Sequence, residues 1–304
     1  MQLKFMEPAG SLRLHSITLG RELFVKLNLK RVKWLSVSNV VTIFCAVSAI
    51  GIAYYWYSSS NDHEEVDASQ DHVKILKLCS LLCDVAYDPK VLDGDKLQKQ
   101  INLPCTEFCN WEHKDNRAVS FIAKLDVDLI PLLGPNCCEV AVISFRGTSC
   151  FNETLENIRS AWRKKYYIDE QNHFTAARGF LDAYDDIKEK RVDGKNILDV
   201  ICRRADMCCG RVLIVGHSLG GAMAQAMASE LSLSKPHYKI AAVTFGQPRL
   251  YSRASAQSYW RYEHWRVVNN GDPVPTLPPA ELGFCHHGKA FHFETENVPK
   301  NDLR

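Results

Sequence analysis

The sequence predicts an α/β fold with a mainly parallel β-sheet covered by helices on both faces. Short apolar runs at residues 140–145, 212–215 and 239–245 have the length and the β-branched composition of buried strands. Segments with helical periodicity lie between them, for example at residues 197–204, and this alternation is typical of parallel sheets. A chain of 304 residues, 46% of them hydrophobic, can bury a core of this kind.

The first 33 residues are basic. They contain seven Lys or Arg and two Glu, whereas the whole chain carries a net charge of only +2. The rest of the chain is therefore mildly acidic and implies no basic face, so nucleic acid is not a predicted partner. We interpret residues 1–33 as a cytosolic tail.

Residues 34–57 contain no charged side chain and are predicted to form a single transmembrane helix. Their most apolar part, residues 40–57, is close to the ~20 residues that a bilayer requires and ends in the aromatic sequence YYWY. Basic residues precede this span and acidic residues follow it. The positive-inside rule then places the N-terminus in the cytoplasm and the large domain in a lumen or outside the cell. A buried core helix and a mitochondrial presequence with a membrane anchor are the alternatives.

The remaining chain divides into a polar linker, residues 58–70, and one domain, residues 71–304. The domain is expected to begin with a buried helix over residues 72–87 and to continue through an irregular polar segment, 88–114. Its other predicted elements are strands at residues 119–123 and 265–269 and helices that begin at Gly179 or span residues 254–262.

The twelve cysteines do not predict a metal site. Several are clustered, but the C-x₂-C spacing of zinc knuckles is absent. In an oxidising lumen some of them would form disulfides, in a connectivity that the sequence does not reveal. Asn152, in the triplet NET, is the one candidate for N-glycosylation and agrees with a lumenal domain.

The stretch around Ser218 carries the clearest chemical signal. The apolar run 212–215 is followed by GHSLG at residues 216–220, and then by an Ala- and Met-rich helical segment, 222–233. A strand, G-x-S-x-G and a helix in this order form a nucleophile elbow, in which a serine occupies a sharp, strained turn. The alternative is an ordinary strand-to-helix turn that contains a serine.

Asp272 is the candidate acid. It follows the strand predicted at residues 265–269, so it should lie at the carboxyl edge of the sheet, near Ser218. The order of a serine followed by an acid is that of the serine hydrolases with an elbow. Turn chemistry alone would also favour an Asp in the sequence GDP, and position does not separate these two interpretations.

Five blocks in order make the sequence resemble the class 3 lipases, the fungal-type branch of the α/β-hydrolases. They are SFRGT at 144–148, GFLDAY at 179–184, GHSLGGA at 216–222, TFGQPR at 244–249, and residues 268–278. The resemblance implies that Ser218 is the nucleophile and Asp272 the acid. It further implies that the backbone N–H groups of Thr148 and Leu219 bind the oxyanion, and that residues 149–158 correspond to a lid.

The catalytic base is harder to assign. His286, His287 and His292 follow Asp272, and we choose His286 as the candidate base. Yet GFCH at residues 283–286 matches a family block whose histidine is not catalytic, and the family's catalytic histidine lies well beyond that block, whereas this chain stops at Arg304. His286 or a neighbour could substitute, the domain could be truncated at its C-terminus, or it could lack turnover. A histidine bonded to the backbone is the structural alternative for His286.

The expected function is that of a membrane-anchored serine lipase or esterase. It would hydrolyse acyl esters of glycerolipids through an acyl-enzyme, with no metal or organic cofactor. Its partners would be a lipid substrate and the membrane, while the sequence leaves any protein partner unknown. The alternative is a catalytically impaired lipase-fold protein that binds lipid or acts as a scaffold.

Overall fold

The computed structural model describes residues 69–87, 94–111, 120–127, 129–134, 139–147, 163–191, 194–258 and 260–293. In these ranges no helix is both long enough and apolar enough to cross a membrane. The tail at residues 1–33, the predicted span at 34–57 and most of the linker lie outside the described residues. Thr148, Asn152 and the lid segment 149–158 lie outside them as well.

Seven helices are described. They are α1 (Gln70–Tyr87), α2 (Gly94–Ile101), α3 (Ile130–Leu133), α4 (Arg178–Glu189), α5 (Ile197–Met207), α6 (Leu219–Ser234) and α7 (Arg253–Ala256). Eleven strands are described as well. They are β1 (Cys105–Trp111), β2 (Ser120–Asp126), β3 (Glu139–Phe145), β4 (Arg163–Tyr167), β5 (His173–Ala177), β6 (Arg211–His217), β7 (Lys239–Phe245), β8 (Tyr251–Ser252), β9 (Tyr262–Asn269), β10 (Phe284–Cys285) and β11 (Lys289–Phe293).

Seven strands form a central sheet in the order β1-β2-β3-β6-β7-β9-β11. The pairs from β3 to β11 are parallel, and β1 and β2 add an antiparallel edge. The prediction of a mainly parallel sheet is therefore confirmed. Because β6 lies at the centre, between β3 and β7, its carboxyl end has a strand end on each side.

Both faces of the central sheet are buried. Alternate residues of β6 point to opposite sides, so that Val212 and Ile214 belong to one apolar core while Leu213 and Val215 belong to the other. The first core contains residues of α4, α5 and α6, and the second contains residues of α1, α2 and α3. This two-sided burial explains why β3, β6 and β7 are continuous apolar runs in the sequence.

Two predicted segments were wrong. Residues 88–114 were expected to be irregular, but α2 and β1 lie within them; β1 has a register shift between Thr106 and Cys109 that interrupts its alternation. The helix predicted at 254–262 is limited to the single turn α7, and Trp260 is buried in a stack with Tyr251, with ring centroids 5.1 Å apart. A second, antiparallel sheet of order β10-β8-β5-β4 was not predicted.

A buried ionic group holds α6 against α4 and β4. Glu230 of α6 accepts hydrogen bonds from the hydroxyls of Tyr166 and Tyr184, at 3.0 and 2.9 Å, and Lys188 lies 3.1 Å from its other oxygen. Burial raises the pKa of Tyr184 well above its usual value, and the Glu230 carboxylate raises it further, so this phenol stays a donor. The helix that follows Ser218 is thus anchored at its far end as well.

The turn from β6 to α6 leaves no space for side chains at its glycines. A Cβ added to Gly216 would lie less than 3.0 Å from the carbonyl of Gly220, and one added to Gly220 would come equally close to the carbonyl of Phe145. Real Cβ atoms essentially never make such contacts with backbone. The strand, the helix and the end of β3 can approach this closely only because glycine occupies both positions.

We predict that Gly216→Ala lowers the free energy of unfolding by about 3 kcal/mol, because the added methyl group must displace the first turn of α6. Gly194→Ala is the matched control, since Gly194 has a φ of +75° but no atom within 4 Å of its added Cβ. Gly194→Ala should lower the free energy of unfolding by only about 1 kcal/mol, because of backbone strain. Urea unfolding measures both values, and equal losses would contradict the packing explanation.

Candidate active site

Ser218 lies in a strained backbone conformation at the start of α6. Its φ of 56° and ψ of −125° are unusual for a residue other than glycine. Its N–H donates to the carbonyl of Phe245, 2.9 Å away, which ties the turn to the end of β7. The residue is 7% exposed. Local strain maintained by surrounding hydrogen bonds and packing is typical of functional sites.

Leu219 supplies a donor beside Ser218. It is the first residue of α6, where a backbone N–H has no acceptor within its own helix. The N-terminal end of a helix carries partial positive charge, which favours a developing oxyanion. The position of Leu219 therefore suits the predicted role of its N–H group.

The end of β3 packs against this turn. A Cβ on Gly147 would lie 2.5 Å from the carbonyl oxygen of His217 and 3.2 Å from Cβ of Ser218. Gly147 directly precedes Thr148, the predicted second oxyanion residue. Because Thr148 lies outside the described residues, its role stays a prediction.

Asp272 lies in the turn after β9, at the same edge of the sheet as Ser218. One of its oxygens, Oδ1, accepts a hydrogen bond from the N–H of Val274 at 2.9 Å, which is the turn chemistry expected of an Asp. The other oxygen, Oδ2, is 2.8 Å from the place where a Cβ on Gly246 would be. The carboxylate therefore stabilises its own turn and also faces the end of β7.

His217 lies close to the same point. Its Nε2 is 3.7 Å from the position of a Cβ on Gly246, so the imidazole and the Asp272 carboxylate both lie next to Gly246. Partial burial lowers the pKa of His217, and the carboxylates of Asp272 and Asp84 oppose this change. The other ring nitrogen, Nδ1, is 2.8 Å from the hydroxyl of Tyr87. Sequence reasoning did not find Tyr87, because it lies 130 residues before His217 in the chain.

The loop that follows Asp272 is held through its carbonyl groups. Arg249, which is 1% exposed, donates from Nη1 to the carbonyls of Thr276 and Pro278, and its backbone N–H donates to that of Leu277 at 2.7 Å. These bonds fix the path of the chain between Asp272 and β10. The arginine of the TFGQPR block, Arg249, thus has a structural role in holding this loop, which the sequence did not reveal.

His286 contacts the same loop. Its Nε2 is 2.8 Å from the carbonyl of Pro275, and the side chain is 5% exposed. Since a carbonyl can only accept, this nitrogen carries a proton and donates it. The geometry corresponds to the backbone-bonded alternative, and the role of His286 as the base stays a prediction.

The other two histidines that follow Asp272 are placed elsewhere. His287 packs against the rings of Tyr251, Trp260, Tyr262 and His264, and burial lowers its pKa. His292 lies on β11, opposite Val268 of β9. The structure therefore places Ser218, His217 and Asp272 at one edge of the sheet, whereas His287 lies in an aromatic cluster and His292 lies on β11.

Metal ligands do not assemble within the described part of the chain, where no group of three or more His, Cys, Asp or Glu side chains could hold an ion. The thiols of Cys79, Cys83, Cys105 and Cys202 are free. Burial raises the pKa of the Cys79 and Cys83 thiols, and that of Cys105 to about 11, so these groups are inert apolar side chains. The disulfides expected from an oxidising lumen do not involve these four residues.

Comparison with known proteins agrees with this fold. Residues 142–282 match the family model described as lipase (class 3). A secreted mono- and diacylglycerol lipase of Gibberella zeae is 33% identical over 273 residues, covering 74% of this chain and 63% of the relative. The chain spans less than two thirds of the length of the curated relatives that it matches.

Solved structures of lipases share the fold. The lipase of Rhizopus microsporus var. chinensis matches with a TM-score of 0.59 and 20% identity, over 76% of this chain and 78% of that one. A triacylglycerol lipase described as having a serine protease triad in its catalytic centre matches with a TM-score of 0.58 and 23% identity, over 76% and 83% of the two chains. These findings show that residues 142–282 are similar to the class 3 lipases and that the chain shares the fold of the lipases above.

Proposed function

We propose that this protein is a serine carboxylic-ester hydrolase that cleaves acyl esters of glycerolipids. The observation that carries the proposal is Ser218, a strained and nearly buried serine at the central strand-to-helix turn, with the Asp272 carboxylate at the same edge of the sheet. Its relatives are lipases, and one is described as a mono- and diacylglycerol lipase. This favours glycerolipids over small soluble esters.

The proposed reaction proceeds through an acyl-enzyme. A base takes the proton of Ser218 while Oγ attacks the ester carbonyl carbon, and the resulting oxyanion accepts hydrogen bonds from the N–H groups of Leu219 and Thr148. The tetrahedral intermediate collapses, and the alcohol leaves with the proton that the base had taken. Water, deprotonated by the same base, then attacks the acyl-enzyme and releases the fatty acid and Ser218. Asp272 orients the base and stabilises its protonated form.

A second function is favoured by a specific observation. His286, the candidate base, uses its Nε2 to donate to the carbonyl of Pro275. A lipase-fold protein that lacks a working base would bind lipid or act as a scaffold, because loss of one triad member can cost about 10⁴-fold in rate. The two functions differ in whether Ser218 is activated.

The proposal includes attachment to a membrane. The uncharged residues 34–57 would span the bilayer, with residues 1–33 in the cytoplasm and the hydrolase domain in a lumen or outside the cell; insertion in a mitochondrial membrane is the alternative. The support is the length of this apolar stretch and the charge asymmetry around it. Such an anchor would hold the site close to its lipid substrate.

The first prediction from the proposed function concerns activation of Ser218. A fluorophosphonate probe should label the wild-type protein, and Ser218→Ala should abolish both labelling and ester hydrolysis. Ser234→Ala is the matched control, because Ser234 lies at the other end of α6 and donates to the carbonyl of Glu230. It should keep full labelling. If the folded wild-type protein is not labelled, the hydrolase function is wrong and the lipid-binding alternative is favoured.

The second prediction separates the two roles of His286. If the function of His286 is its hydrogen bond with Pro275, His286→Gln should keep turnover within about tenfold, since an amide can donate to the same carbonyl. His286→Ala cannot make this bond, so its free energy of unfolding should fall by ~1–3 kcal/mol. We expect this outcome from the geometry. A loss of ~10³-fold or more in both variants, with unchanged unfolding, would instead identify His286 as the base.

The third prediction concerns topology. The full-length protein should resist extraction by alkaline carbonate, and a deletion of residues 34–57 should release it. If the domain is lumenal, Asn152 should carry glycosidase-sensitive mass that Thr154→Ala removes while Asn152 itself is retained. Digestion of the domain by protease added outside sealed microsomes would contradict the lumenal placement.

A further inference from the structure

The hydroxyl group of Tyr87 links two segments of the candidate active site. Tyr87 is the last residue of α1, and its oxygen accepts a hydrogen bond from the N–H of Gly147 at 3.0 Å. The same oxygen is 2.8 Å from Nδ1 of His217. Gly147 precedes the predicted oxyanion residue, and His217 precedes Ser218. A single hydroxyl therefore joins the end of β3 to the nucleophile turn.

These contacts favour one arrangement of the protons. The Tyr87 oxygen accepts from the N–H of Gly147, and the phenolic hydrogen is satisfied when it is donated to Nδ1 of His217. Burial raises the pKa of Tyr87 to about 12, so the phenol keeps its proton at neutral pH. Partial burial also lowers the pKa of His217, so its ring is neutral there. In a neutral imidazole whose Nδ1 accepts, Nε2 carries the hydrogen, on the side that faces Asp272.

Other contacts keep Tyr87 in place. Ser144 of β3 donates from Oγ to the carbonyl of Leu82, 2.9 Å away, which fixes α1 along the sheet. The guanidinium of Arg146 lies 5.3 Å from the centre of the Tyr87 ring. A Cβ on Gly147 would collide with the Tyr87 hydroxyl, so the glycine permits the bridge.

We propose that Tyr87 is a positioning residue whose hydroxyl fixes the spacing between the oxyanion segment and the nucleophile turn and holds His217 with its proton on Nε2. The kinetic consequence rests on the proposed hydrolase function, but the tautomer of His217 does not. Catalysis depends on donors placed within tenths of an ångström of the oxyanion. Loss of the Tyr87 hydrogen bonds therefore lowers the catalytic rate more than it weakens substrate binding.

The tautomer is measured by ¹⁵N–¹H NMR of the histidine rings, with His217→Gln used to assign the signals. In the wild-type protein above the pKa of His217, Nδ1 should show the shift of an acceptor nitrogen and Nε2 that of a protonated nitrogen. In Tyr87→Phe, the ring should move toward a mixture of both tautomers. Wild-type His217 protonated on Nδ1 would overturn the proposal, even if no variant folds.

The kinetic arm compares Tyr87→Phe with Tyr238→Phe on a soluble nitrophenyl ester. Tyr238 is the matched control, because its hydroxyl also has two partners, Asp206 at 2.6 Å and the carbonyl of Cys202 at 3.2 Å. It precedes β7, and therefore lies at the opposite edge of the sheet from Ser218. Tyr87→Phe should lower kcat about tenfold with less than a twofold change in KM, whereas Tyr238→Phe should leave kcat unchanged.

Thermal unfolding of both variants separates positioning from stability. If kcat falls in Tyr238→Phe as well, and in both variants the fall follows the loss of Tm, the positioning role is contradicted. An unchanged His217 tautomer in Tyr87→Phe would also contradict it. If the wild-type protein shows neither turnover nor labelling by the fluorophosphonate probe, the proposed function fails, and the NMR result alone then decides the inference about Tyr87.

Discussion

The close approach of three backbone segments around Ser218 is the constraint on which this site depends. The turn from β6 to α6, the end of β3 and the end of β7 meet where a side chain would collide. A Cβ on Gly220 would meet the carbonyl of Phe145, and one on Gly246 would lie 2.8 Å from Asp272 Oδ2. These contacts bring the strained serine, a helix N-terminus and a carboxylate to one edge of the sheet.

The surrounding structure maintains this arrangement mainly through hydrogen bonds to the backbone. Ser218 donates its N–H to Phe245, Arg249 holds the carbonyls of the loop after Asp272, and His286 donates to Pro275 in that loop. A backbone acceptor does not titrate, so these bonds persist over a wide range of pH. Tyr87 is different in kind, because its hydroxyl contacts both a backbone N–H and an imidazole.

Much of the fold was predictable because burial on both faces leaves a simple pattern. The predicted strand at residues 239–245 coincides with β7, and the predictions for β3 and β6 agree closely with their observed bounds. Six strands were missed, namely β1, β4, β5, β8, β10 and β11. β1 contains Glu107 at a φ of 55° next to a register shift, and β4 has three consecutive basic residues before its buried Tyr166, so neither shows a clean alternation.

The sequence by itself determined the sharp turn at Ser218, the class of fold and the position of Asp272 after a strand, because each depends on local patterns of glycine and apolar residues. Only the tertiary structure decided which groups contact these residues. In that structure Nε2 of His286 donates to the carbonyl of Pro275, and the hydroxyl of Tyr87 contacts His217, which is 130 residues away in the chain. Such contacts leave no periodic trace in the sequence, since each depends on one side chain that tertiary packing brings against another segment of the chain: the end of β6 for Tyr87, and the loop after Asp272 for His286.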